Sequence, residues 1–171
     1  MESSPLDWQR QGDTFVASGV DSKLLSEIGD RFAKLDLDRL VVALVGTLGA
    51  GKTTLVQAIA AAHGVDRANV TSPTFTLMQR HHGTGGGGQT RMLYHLDTYR
   101  VADVDEWMEL GVDELLQEPS TWLLIEWADR FADWMPDETL WVHLEMDPDS
   151  TRTITLRGHG ADAIATSLRE S

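Results

Sequence analysis

Two stretches of this chain are apolar at every position, Leu40 to Val45 and Trp122 to Ile125. Strands covered on both faces need such runs, because neither side of the pleat meets water. Leu24, Leu25, Ile28, Phe32 and Leu35 recur instead at helical spacing, with Asp21 or Ser22 in front as a capping residue. Thr53 to Ala62 is rich in alanine and free of glycine and proline, which predicts a second helix. Asp13 to Val16, Thr74 to Gln79 and Arg91 to Leu96 read as shorter strands. Between the last two, His81 to Thr90 holds four consecutive glycines and reads as a flexible hairpin loop. Residues 101–118 are acidic and helical in part. Leu140 to Met146 and Thr151 to Arg157 alternate as an antiparallel pair would, and Asp162 to Arg169 fits a closing helix.

The first buried run leads directly into Gly46-Thr47-Leu48-Gly49-Ala50-Gly51-Lys52-Thr53, an ungapped G-x-x-x-x-G-K-[ST]. Each part has a physical task. The glycines let the backbone close around a phosphate, and successive N–H groups then face inward as an anion nest. The helix that follows aims its positive end at the same point. Lys52 is placed to reach the β- and γ-phosphates, and the Thr53 hydroxyl to ligate magnesium. Leu48, Gly49, Ala50, Gly51 and Thr54 complete the candidate nucleotide contacts. ATP with Mg2+ is the expected ligand pair. The fold expected around such a loop is an α/β, P-loop NTPase-like sandwich. Its central sheet would be mostly parallel, with antiparallel edge strands and helices on both faces. The 171 residues make one domain, with no linker or repeat to divide them.

Composition narrows the chemistry. The absence of cysteine removes disulfides, thiolate metal sites and thiol nucleophiles. The formal net charge of −13 opposes direct contact with a phosphate backbone. No apolar run approaches the ~18 residues of a membrane span, and the polar start, Met1 to Arg10, does not resemble a signal peptide. The expectation is a soluble, cytoplasmic chain.

A P-loop site also needs carboxylates. Glu126 ends the Trp122–Ile125 run, where an unpaired charge would be costly, and so is the candidate for the magnesium shell. Asp97 ends the stretch Tyr94-His95-Leu96-Asp97 and could orient the attacking water or act on that shell. Thr74, in Ser72-Pro73-Thr74-Phe75, follows the P-loop helix, where nucleotide switches present a threonine to the γ-phosphate.

Four motifs in order now resemble one family, TsaE (also called YjeE). They are Gly-x-Leu-Gly-Ala-Gly-Lys-Thr-Thr at 46–54, Ser-Pro-Thr-Phe at 72–75, His-x-Asp-x-Tyr-Arg at 95–100 and Glu-Trp-x-x-Arg at 126–130. The resemblance implies an ATPase needed to make threonylcarbamoyladenosine in tRNA, beside the anticodon. It would act with the TsaD–TsaB heterodimer and touch tRNA only indirectly. It further implies Lys52 on the phosphates, Thr53 and Glu126 on magnesium, Thr74 in a switch-like loop and Asp97 in hydrolysis. Trp127 is similar to the family tryptophan beside the nucleotide, with core packing as the alternative. Asp21, Ser22 and Arg152 lie where the family approaches the nucleotide from the two ends of the chain. The chain departs from the family pattern at Thr47, usually aspartate, at Ala128, usually proline, and in the glycine insertion at 83–88.

Other P-loop functions remain open at this level. A small-molecule kinase would need an arginine-rich lid, and the arginines here are scattered. A GTP switch would carry Asn-Lys-x-Asp, which is absent. A non-catalytic, ATP-dependent scaffold for the same complex fits the motifs as well.

Overall fold

The computed structural model describes residues 6–73 and 75–166. It shows one eight-stranded sheet with strand order β1-β2-β8-β7-β3-β6-β5-β4. The strands are β1 (Gln9–Gln11), β2 (Thr14–Val20), β3 (Leu40–Val45), β4 (Met78–Thr84), β5 (Thr90–Asp97), β6 (Thr121–Glu126), β7 (Thr139–Met146) and β8 (Arg152–Gly158). β7, β3, β6 and β5 run parallel in the centre. Every other pairing is antiparallel. The sheet is therefore mixed rather than mostly parallel. Its outer strands are hairpin-connected or returning polar segments that need only one covered face.

Helices lie on both faces. The long ones, α1 (Ser22–Ala33) and α2 (Lys52–Ala62), share one face with the short α5 (Ala161–Thr166). Leu25, Ile28, Phe32, Leu55, Ile59 and Ile164 meet Val42, Leu44, Leu124, Val142 and Leu156 there. The opposite face is covered by α3 (Val104–Glu109), α4 (Val112–Leu115) and a kinked 3-10 segment, Ala128–Trp134. Trp107, Val112 and Phe131 pack on Val41, Ala43, Leu123 and Ile125. The two apolar runs of the sequence are thus the adjacent centre strands β3 and β6, buried from both sides.

Several boundaries differ from the sequence expectation. The Asp21 carboxylate does cap α1, accepting the Leu24 N–H at 2.8 Å. That helix stops at Ala33, yet Leu35 stays buried just beyond it. The first strand extends to Val20, and a further short strand precedes it. The strand expected at Thr74–Gln79 starts only at Met78 and continues through His81 and His82 to Thr84. The hairpin loop shrinks accordingly. Thr74 itself lies outside the described residues, as does the end of the closing helix beyond Thr166. Among the described residues no helix is long and apolar enough to cross a membrane.

Candidate nucleotide site

The parallel strands end together at one edge, and the P-loop leaves β3 there. A Cβ on Gly46 would lie 2.5 Å from the Leu144 carbonyl oxygen on β7, so only glycine lets the loop leave its strand so close to its neighbour. At the other end Gly51 has φ 106° and a Cβ position 2.6 Å from Arg152 Nε. Gly46→Ala must displace backbone rather than a flexible side chain. We expect it to cost about 1–3 kcal/mol, as overpacking usually does. The melting temperature should fall by several degrees in a thermal denaturation scan.

Lys52, 4% exposed, folds back over the loop. Its Nζ donates to the carbonyls of Gly46 at 2.6 Å and Thr47 at 2.9 Å. An ammonium has three protons, so one remains for a ligand. The same Nζ sits 3.9 Å from the centre of the Trp127 ring. Burial lowers its pKa from the ordinary lysine value, while Glu126, Asp97 and Asp129 draw it back up. The lysine thus ties down the first two carbonyls of its own loop.

Two strand ends bring the carboxylates to it. Asp97 and Glu126 are register partners on β5 and β6. Glu126 Oε1 accepts from the Thr53 hydroxyl at 2.7 Å and from His95 Nε2 at 2.7 Å. The Asp97 carboxylate accepts from the Ser72 hydroxyl at 3.0 Å and the Tyr99 N–H at 2.9 Å. Thr98 and Arg130 brace the backbone around them. The Thr98 hydroxyl donates to the carbonyls of Glu126 and Trp127, and Arg130 Nη1 donates to those of Thr98 and Tyr99. Trp127 holds a left-handed backbone, φ 59°, unusual for a bulky residue, and this turn sets its ring against Lys52.

Together these groups enclose a cavity of about 460 Å³. Leu48, Gly49, Gly51, Lys52, Thr53, Thr54, Asp97, Glu126 and Trp127 line it, joined by Ser72 and Tyr99. Ala50 is buried behind the loop, and its carbonyl accepts from Arg152 Nε at 2.8 Å. Ser22 stands apart from the cavity at the start of α1, two residues beyond Val20, the register partner of Arg152. Thr47 lines a separate cleft with Asp129, His143 and Glu145. Ser72, His95, Tyr99 and Arg130 join the site without an individual role expected from the sequence. A signal was present, since all four stand in the short motifs at 72–75, 95–100 and 126–130, and His95 and Asp97 share one face of β5.

Size and donor set suit a nucleoside triphosphate with its metal. An ammonium and backbone N–H groups are donors of the kind phosphate takes, while the Thr53 hydroxyl and the Glu126 carboxylate are hard oxygen donors of the kind Mg2+ takes.

The comparisons agree with this architecture. The profile of the family described as "Threonylcarbamoyl adenosine biosynthesis protein TsaE" matches residues 20–154. A Treponema pallidum protein named tRNA threonylcarbamoyladenosine biosynthesis protein TsaE is 36% identical over 116 residues, covering 68% of this chain and 80% of its own length. The Bacillus subtilis protein of the same name is 34% identical over 140 residues, covering 82% of this chain and 81% of its own. The crystal structure of Bacillus subtilis YdiB superposes with a TM-score of 0.69 at 25% identity, over 94% of this chain and 97% of that one.

Proposed function

The chain belongs to the TsaE family, and on that premise we propose that it is a magnesium-dependent ATPase serving the threonylcarbamoyladenosine modification of tRNA. The observation that carries this reading is the meeting of Lys52, the Thr53–Glu126 pair and Asp97 around one cavity. In this reading the loop N–H groups and Lys52 bind the β- and γ-phosphates and hold charge on the leaving group. Thr53 and Glu126 hold Mg2+, which neutralises the phosphate oxygens when bound. Asp97, steadied by Ser72 and the Tyr99 N–H, orients the lytic water.

The site is open on one side. Leu48, Phe75 and Tyr99 are 90%, 86% and 56% exposed, and the Arg100 guanidinium lies 4.8 Å from the Phe75 ring centre. Apolar side chains exposed around the P-loop and the 72–75 segment suit a partner that covers the nucleotide. The TsaD–TsaB heterodimer is the partner we assign, with tRNA held by that pair rather than by this acidic chain. A partner could also supply a cation to the γ-phosphate, a contribution of ~10³–10⁵ in rate in other P-loop enzymes.

The test is ATP turnover with Mg2+, alone and with the TsaD–TsaB pair. We expect strong stimulation by the pair. Tight ATP binding without any turnover would favour a nucleotide-dependent scaffold for the same complex. Glu126→Gln keeps the shape of the side chain but removes its charge, and should lower metal affinity or turnover about 10–100-fold. A magnesium titration of the rate reads this directly.

A further inference from the structure

His95 does not line the nucleotide cavity, yet it holds the Glu126 carboxylate from behind. It sits on β5, 0% exposed, two residues before Asp97 and on the same face. Its Nε2 lies 2.7 Å from Glu126 Oε1. A carboxylate only accepts, so the ring proton is on Nε2. Among the described residues Nδ1 has no hydrogen-bond partner, so no second bond competes for the orientation of the ring. His63 shows what a packing histidine looks like here. Its Nδ1 is paired with the Ile59 carbonyl at 2.8 Å, and its ring lies edge-on to Trp122 at 4.9 Å, away from any carboxylate.

The donors to Glu126 come from different elements. Thr53 is on α2 and His95 on β5, and both end on the same oxygen, Oε1. With Oε1 held from two sides the carboxylate cannot rotate freely, and Oε2 takes part in neither bond. We propose that His95 is a positioning residue: it locks Glu126 through Oε1, so that the Thr53–Glu126 pair is set for a divalent cation before nucleotide arrives. This rests on the magnesium reading of the site given above. Groups that orient a metal-binding carboxylate typically matter ~10–100-fold in metal affinity or activity.

The test uses the full chain and two variants. His95→Met fills the space without a donor, and His95→Gln keeps an amide N–H at comparable reach. Mn2+ is titrated into the protein–ADP complex and followed by electron paramagnetic resonance, with metal-free ADP affinity measured in EDTA. We expect His95→Met to weaken Mn2+ binding about 10-fold or more with ADP affinity in EDTA unchanged, and His95→Gln to recover most of the loss. Wild-type metal affinity in His95→Met would overturn the proposal. So would an equal loss in both variants, since the hydrogen bond would then not be the cause. If His95→Met does not fold, His95→Gln is compared with His95→Asn, whose amide falls one methylene short; equal metal affinity in those two is the overturning result. Absence of any Mn2+ binding by the wild-type ADP complex would sink the magnesium reading of the whole site. A wild-type site that binds metal and is indifferent to His95→Met removes only the inference about His95.

Discussion

Asp97→Asn is expected to abolish most ATP turnover while leaving nucleotide bound. Asparagine keeps the outline of the side chain and one acceptor oxygen, so either the Ser72 or the Tyr99 contact can persist. It loses the negative charge and the basicity that orient and polarise a water. General-base and water-orienting groups contribute about 10²–10⁴-fold, so kcat should fall within that range. ATP affinity should change little, because a carboxylate has no hydrogen to donate to a phosphate. Turnover in the presence of the TsaD–TsaB pair, with ATP affinity from equilibrium titration, separates the two effects. A kcat within about threefold of wild type would place Asp97 outside the chemistry. A parallel loss of affinity would make it a binding residue instead.

The contrast between Asp97 and the loop shows what a linear sequence displays. Gly46 to Thr53 is contiguous, so its geometry is written in consecutive residues. β3 and β6 are legible for a similar reason, since burial on both faces demands an unbroken apolar run. The Glu126–His95–Thr53 cluster is assembled from two strands and a helix. Its composition could be guessed from polar residues ending apolar strands, but its wiring depends on the register that sets Asp97 beside Glu126.

Edge strands were the hardest to read. β4, Met-Gln-Arg-His-His-Gly-Thr, has one face to water and its outer edge unpaired, so its composition is that of a loop. Strand direction was legible where two strands follow each other closely: Leu140–Met146 and Thr151–Arg157 read as an antiparallel pair, and β7 and β8 pair that way. The pairing of β8 with the distant β2 is long-range and leaves no such local mark. Arg152 reaches the P-loop directly, through the Ala50 carbonyl, although the two are about a hundred residues apart in the chain, a contact that only the fold displays.

Lys52→Ala should produce a broader defect than Asp97→Asn, because this ammonium has three separate duties. It donates to the carbonyls of Gly46 and Thr47, the second of which also accepts the Ala50 N–H at 3.1 Å. It is the cation amid Glu126, Asp97 and Asp129, so its removal leaves several negative charges facing an incoming polyanion. Its remaining proton is the one available to phosphate. A lost hydrogen bond to a charged group is worth about 1.5–3 kcal/mol, so ATP affinity should drop roughly 10- to 100-fold. The transition state, where charge grows on the bridging oxygen, should lose a further ~10²–10³-fold in rate. Equilibrium binding and single-turnover hydrolysis read these separately. Arginine should not rescue either, since a planar guanidinium cannot replace a point charge seated between two carbonyls and the Trp127 face. If Lys52→Ala kept wild-type affinity and turnover, the cavity would not be the nucleotide site, whatever the motif suggests. If affinity fell but single-turnover hydrolysis of bound ATP did not, Lys52 would anchor the ground state only. Transition-state stabilisation would then fall to the loop N–H groups and to whatever cation the partner brings.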